Sequence, residues 1–198
     1  MDKIWMSIKK FAESNNGYIK TSNVENMGFS RPMLSKYTNE GKLERISKGL
    51  YVLSDNVSDE YALLQARSKN AVFSYGTALF LWGLSDRTPH IYDISVPHGT
   101  NISLLKRDNP NLRCHYEKLE VYEIGITETI TPQGATVRLY DKERCICDLI
   151  RNKEKIDMQL FSGAIKDYFK SNPNNRKLLK YGKIFGIEEK IRIYMEVL

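Results

Sequence analysis

Phosphate recognition is the chemistry most clearly written into this chain. Residues 20–53, KTSNVENMGFSRPMLSKYTNEGKLERISKGLYVL, hold six Lys and Arg (Lys20, Arg31, Lys36, Lys42, Arg45, Lys48) against three acids (Glu25, Glu40, Glu44). Ammonium and guanidinium groups neutralise a nucleic-acid backbone and release its counterions. Arg also reads guanine through two hydrogen bonds, and Asn reads adenine likewise, so Arg31 and Asn39 suit base edges while Lys36 suits a phosphate. The candidate DNA-binding set is Lys20, Thr21, Ser30, Arg31, Ser35, Lys36, Asn39, Lys42, Arg45 and Lys48. RNA is disfavoured, because the stretch offers no stacking platform beyond Tyr37 and Tyr51.

Other reactive side chains are present without the spacing that catalysis needs. His90, His98 and His115 form no H-x-E or H-x3-H pattern, and Cys145 and Cys147 are spaced C-x-C beside a lone Cys114, which is neither a redox nor a zinc motif. Asp93 with Glu117 or Asp141 would be a nuclease-like carboxylate set, yet no D-x-x-x-E-x-K run accompanies them. Gly99, Gly125 and Gly134 stand alone rather than in a phosphate-binding loop. Asp141, Arg144 and Asp148 read structurally: Asp141 caps a helix, and Arg144 pairs with Asp148 at i, i+4 for about a few tenths of a kcal/mol. The expectation is a protein that is not an enzyme, with no cofactor and no metal.

The elements that position the basic set follow from periodicity. Ile4, Trp5, Ile8, Phe11 and Ala12 make an apolar stripe at helical spacing, predicting a helix over residues 4–14 that ends at Asn15-Asn16-Gly17. After an extended link at Tyr18 and Ile19, Thr21 or Ser22 can cap a short helix over 23–27. Gly28-Phe29 makes the turn. Ser30 is expected to cap the next helix, with Pro32 in its first turn and Gly41 as its stop. On that helix Leu34, Tyr37 and Thr38 share the inward face, which leaves Lys36 and Asn39 outward. Two β-prone runs, 42–46 and 50–53, flank Ser47-Lys48-Gly49 as a hairpin. The outline is a winged helix-turn-helix, which sets one helix in the major groove and its hairpin along the backbone or minor groove. Polar SDNVS then marks a domain boundary, giving residues 1–56 and 57–198.

The second domain reads as mixed, with a central sheet flanked by helices, so the fold class is α/β in the mixed α+β sense. Helices are expected over 60–68 and 78–82, from Cys145, and over 160–169, 175–185 and 188–198. Strands are expected at 72–73, 90–96, 112–116, 121–126, 129–131 and 135–140, with a loop over 97–110. Residues 166–192 hold eight Lys and Arg against three acids, either a solvated face or a second contact with an anionic partner. The chain has 198 residues, 41% hydrophobic and 27% charged, with net charge +6, a composition that predicts a packed core and is compatible with a nucleic-acid partner. MDKIWMSIKKF lacks the apolar core of a signal peptide, and no run of about 18 apolar residues suggests a membrane span. A cytoplasmic location is expected.

The run GKLERISKGLYVL, residues 41–53, resembles the module in which a helix-turn-helix precedes G-L-x-R-[IV]-x-[KR]-G-x-Y, found in AbiEi-type antitoxins of the AbiE abortive-infection toxin–antitoxin systems. FSYGTAL at 73–79 with WGLS at 82–85, ISVP at 94–97, and VRLYDKER at 137–144 leading to Cys147-Asp148-Leu149 match the same family. The resemblance implies an autorepressor that binds an inverted repeat in its own promoter. It also implies a second domain that counteracts a nucleotidyltransferase toxin without a stable complex, in a type IV system. The protein would be a monomer in solution, with two copies paired on the double-stranded DNA. The alternative reading is a plain winged-helix regulator whose C-terminal domain senses a ligand or dimerises and has no toxin partner.

Overall fold

A computed structural model of the chain describes residues 2–56 and 59–198. It divides into two compact units, residues 1–69 with 133–136, and residues 70–132 with 137–198. The boundary expected at 56/57 precedes a helix that groups with the first unit, and Val57 and Ser58 lie outside the described residues.

In the first unit α1 (Lys3–Glu13), β1 (Tyr18–Lys20), α2 (Thr21–Asn26), α3 (Pro32–Asn39), β2 (Leu43–Ser47), β3 (Leu50–Leu53) and α4 (Glu60–Arg67) succeed one another along the chain. The link at Tyr18 and Ile19 is a true strand: β1 pairs antiparallel with β3, and β3 with β2, in the order β1-β3-β2. Ile8 and Ala12 of α1, Val24, Leu34, Tyr37, Leu43 and Leu53 close one core. This is the helix-turn-helix with its hairpin.

Two caps differ from expectation. Helix α2 begins at Thr21 and has no hydroxyl cap. Instead the Asn23 carboxamide reaches back to accept from the Lys20 amide (2.9 Å), one turn earlier than a Thr or Ser cap would act. Helix α3 likewise has no side-chain cap. Ser30 contributes its carbonyl, which accepts from Met33 N (3.1 Å), and Pro32 occupies the first helical position, where no amide needs a partner.

Asp2 does more than start α1. Its Oδ1 accepts from the amides of Ile4 (3.1 Å) and Trp5 (3.3 Å), while Oδ2 accepts from Tyr37 Oη (2.8 Å) and Lys36 Nζ (3.3 Å). One carboxylate therefore fastens the first helix to the third. The Tyr37 hydroxyl above all, with Lys36, holds it down at about 2 against the usual 3.8.

The second unit is built on a sheet in the order β6-β5-β4-β8-β7. Its elements are β4 (Val72–Phe73), α5 (Tyr75–Leu81), β5 (Tyr92–Pro97), α6 (Ser103–Asp108), β6 (Leu112–Glu117), α7 (Leu119–Tyr122), β7 (Ile126–Ile130), β8 (Thr136–Tyr140), α8 (Lys142–Arg151), α9 (Met158–Lys170), α10 (Asn175–Ile184) and α11 (Glu188–Val197). Strand β4 runs antiparallel to β5 and parallel to β8, and β5 runs parallel to β6. Residues 97–110 are not all loop, since α6 forms within them. The strand expected at 121–126 is instead the helix α7 and a turn. A short apolar run does not distinguish the two periods, and here Tyr122 is turned inward so that its hydroxyl donates to Asn70 O (2.9 Å).

Helix α8 starts as its sequence predicts, with Asp141 accepting from the Arg144 amide (2.8 Å). The i, i+4 pair expected along it, Arg144 with Asp148, forms, and it lies in the interior. Arg144 is wholly buried, and its Nε donates to Asp148 Oδ2 (2.9 Å), itself 1% exposed. Nη1 donates to the carbonyls of Val121 (2.5 Å) and Ile124 (3.1 Å), and the guanidinium lies 4.2 Å from the Tyr140 ring centre and 4.7 Å from that of Phe185. Burial pushes the Asp148 carboxyl up, opposed chiefly by Arg144. Burial opposes the charge on Arg144, yet Asp148, Tyr140 and Glu117 together outweigh it and the guanidinium is raised. Gly125 (φ +82°) completes the fit, because a Cβ there would approach within 2.8 Å of Arg144 Cβ. Cys145 and Cys147 are buried on the same helix, and burial pushes the Cys147 thiol up to about 12, so it offers no thiolate at neutral pH.

Two variants probe these fasteners. Arg144→Met leaves a buried carboxylate without its main partner and should cost about 3–5 kcal/mol in urea unfolding, with Arg144→Met/Asp148→Leu recovering a large part of it. Asp2→Asn should destabilise the first unit at neutral pH. Because the folded pKa is depressed, that contribution is complete above 3.8 and is lost as pH falls towards about 2. Unfolding curves from pH 7 downward should therefore show wild type and variant converge.

Candidate nucleic-acid interface

The ten candidate residues fall on two elements and their approaches. Helix α3 buries Leu34 and Tyr37 and exposes Ser35, Lys36 and Asn39, while Ser30 and Arg31 are exposed at its N-terminal end. Eight residues at 1.5 Å each make a helix of about 12 Å, long enough to lie in a major groove. On the hairpin, Arg45 and Lys48 are exposed, and a register shift between Arg45 and Ser47 bends β2 just before the tip. Gly49 takes φ +76° at that tip, a conformation few side chains tolerate.

The remaining three serve the fold as well. Thr21 N donates to Gly49 O (2.9 Å), with Thr21 Oγ1 beside the same oxygen (3.5 Å), so α2 is tied to the hairpin tip. Lys20 is half-buried, and desolvation together with nearby Lys69 lowers its ammonium. Lys42 is half-buried too, its Nζ 5.4 Å from the ring centres of both Trp5 and Tyr37.

Several of the cations are engaged with surface carboxylates. Arg31 pairs with Glu25 (2.5 Å), Lys36 with Asp2 (3.3 Å) and Glu40 (3.8 Å), and Lys42 with Glu40 (2.5 Å). Exposed pairs of this kind contribute about 0–1 kcal/mol, so a phosphate can displace them at little cost. Arg45 and Lys48 have no ion pair among the described residues; Arg45 only directs Nε at Ser47 O (3.4 Å). The hairpin thus presents free charge, and the helix presents charge held in exchangeable pairs.

Asp2 is the site residue that sequence reasoning missed. An Asp two residues before an apolar stripe is a legible cap signal, but its reach to Lys36 and Tyr37 is tertiary. In the second unit, the basic C-terminal run is partly paired. Lys177 pairs with Asp141 (2.9 Å) and Glu143 (3.3 Å) and, with Arg176, Lys180, Lys183, Arg192 and Glu188, lines an open groove of about 630 Å³. Of the carboxylates weighed for catalysis, Asp93 binds Arg113, Asp141 caps α8 and accepts from Tyr181 Oη (2.9 Å), and Glu117 lies 3.7 Å from Arg144.

Comparison with known proteins matches the same part of the chain. Residues 6–54 match the family described as "Transcriptional regulator, AbiEi antitoxin", a span that takes in α1, both helices of the motif and the hairpin. The fold is similar to the crystal structure of the Rv2827c protein from Mycobacterium tuberculosis, with a TM-score of 0.56 at 11% identity, covering 89% of this chain and 70% of that one. No curated protein matches the chain. No helix among the described residues is long and apolar enough to cross a membrane. The similarity to AbiEi antitoxin transcriptional regulators is thus carried by residues 6–54, the first unit's helices and hairpin.

Proposed function

We propose that the first unit binds double-stranded promoter DNA and represses the operon that encodes it, with α3 in the major groove and the hairpin along the backbone or minor groove. The observation that carries the reading is the outward row of α3 beside a hairpin whose Arg45 and Lys48 have no ion pair among the described residues. Arg31 and Asn39 read base edges; Ser30, Ser35, Lys36, Lys42, Arg45 and Lys48 hold phosphates; Lys20 and Thr21 hold the approach to the hairpin. An inverted repeat is bound by two copies of a chain that is otherwise monomeric. The second unit counteracts a nucleotidyltransferase toxin without forming a stable complex with it, in the cytoplasm of a bacterium under phage attack. Support for the antitoxin role comes from the family match over the first unit and from the sequence resemblance in the second.

Two sets of substitutions separate the two roles. In the full chain, Arg45→Ala/Lys48→Ala should weaken promoter binding and lower the slope of log K against log salt by about 0.9 for each phosphate no longer neutralised. Arg31→Glu/Lys36→Glu/Arg45→Glu should abolish repression of a promoter reporter while still rescuing cells that express the neighbouring toxin. An unchanged salt slope contradicts the assignment of the hairpin, and loss of rescue together with repression contradicts the division of labour.

A further inference from the structure

A second constellation belongs to the second unit and shares no residue with the DNA-binding set. Parallel pairing of β5 and β6 sets Asp93 opposite Arg113 and Ser95 opposite His115, so Asp93, Arg113 and His115 share one sheet face. The Asp93 side chain is 2% exposed and accepts from Arg113 Nε (2.6 Å) and Nη2 (2.9 Å), with His115 Nε2 2.7 Å from Oδ1. The buried carboxylate is thus fully satisfied, while Arg113 itself is more than half exposed. Two of the five guanidinium donors are committed to Asp93, and three remain.

These groups border a cavity of about 250 Å³, whose polar side is Arg113, His115, Lys155, Asn152 and Asp157 and whose apolar side is Leu149, Ile156 and Leu160. Lys155 makes no ion pair among the described residues. The wall is held in place from behind. Tyr75 adopts φ +44°, a left-handed conformation that a tyrosine rarely takes, and its ring centre lies 4.1 Å from that of His115. Asn152 Nδ2 donates to Tyr75 Oη (3.0 Å), which anchors the far end of the ring. Gly76 also lines the cavity, beside Asp93 Oδ2. Backbone held in a sparsely populated region beside a lined cavity is the usual mark of a preorganised site.

Size and charge select the ligand. Of the charged groups lining the cavity, Arg113 is paired with Asp93 behind the wall and Asp157 with Arg87 outside the lining (3.3 Å), while Lys155 has no ion pair among the described residues. One positive charge is left over, which suits a monoanion better than a dianionic phosphate. The apolar side calls for a small hydrocarbon or aromatic body. We infer that this cavity binds a small organic carboxylate, its carboxylate on Arg113 and Lys155 and its apolar body on Leu149, Ile156 and Leu160. Recognition needs little reorganisation, because Asp93 already fixes Arg113 and His115.

The chain contains three histidines, His90, His98 and His115, so ring resonances of the full-length protein report on the site directly. Titration with benzoate should shift the His115 ring signals saturably and leave His90 and His98 in place. Acetate, which lacks the apolar body, and inorganic phosphate should each bind at least about tenfold more weakly. Lys155→Gln, an exposed position that leaves the Asp93 cluster intact, should weaken benzoate by about tenfold, the loss of one charge-assisted hydrogen bond. Absence of a saturable shift with benzoate, equal affinity in Lys155→Gln, or tighter binding of phosphate than benzoate would each overturn the assignment.

Discussion

A guanidinium removed from water governs the second unit. Arg144 bonds Asp148 and two carbonyls, lies against two aromatic faces and has Glu117 3.7 Å from Nη2, and in doing so it fixes the turn after α7 against α8 and α10. Together these partners offset a burial cost that an isolated charge in this position would leave unmet. The neighbouring bonds repeat the pattern: Tyr140 Oη to Tyr122 O, Tyr168 Oη to Glu143, and Trp82 Nε1 to Tyr140 O all tie α8 and its preceding strand to surrounding elements. The polar side chains of this helix therefore serve as internal fasteners.

The first unit uses charge in the opposite way. Its core is apolar, closed by Ile8, Val24, Leu34 and Leu43, and the exposed cations of α3 and the hairpin sit in weak pairs or, at Arg45 and Lys48, in no ion pair among the described residues. Asp2 is the exception that makes the arrangement work. It orients α3 through Tyr37, and its bond to Lys36 keeps that ammonium at the edge of the exposed face. A surface built from exchangeable pairs suits a ligand whose affinity comes from counterion release and whose specificity comes from a few base contacts.

Much of the first unit was legible in sequence because its signals are local. The Leu34 and Tyr37 spacing, Pro32 at a helix start and Gly49 at a hairpin tip each act within a few residues. Caps were read less well, since Asn23 and the Ser30 carbonyl do work that a hydroxyl was expected to do. In the second unit the misses are those of long-range pairing. Arg144 and Asp148 read as an ordinary i, i+4 pair until Tyr140 and Phe185 close over them. Arg113 and His115, two apart on a strand, share a face by alternation, but their meeting with Asp93 depends on the parallel register of β5 and β6, which no local pattern encodes. Residues 121–126 failed for a different reason: a short apolar run fits a helical turn as well as a strand, and the buried Tyr122 decides it.

The most direct test of the DNA-binding account is backbone amide NMR of the full chain during titration with a duplex spanning its own promoter. The account predicts that the perturbed amides cluster at residues 30–39 and 42–49, with Leu34 and Tyr37 shifting less than Ser35, Lys36 and Asn39. Perturbations confined to the second unit, or spread evenly with no response from the α3 row and the hairpin tip, would contradict it.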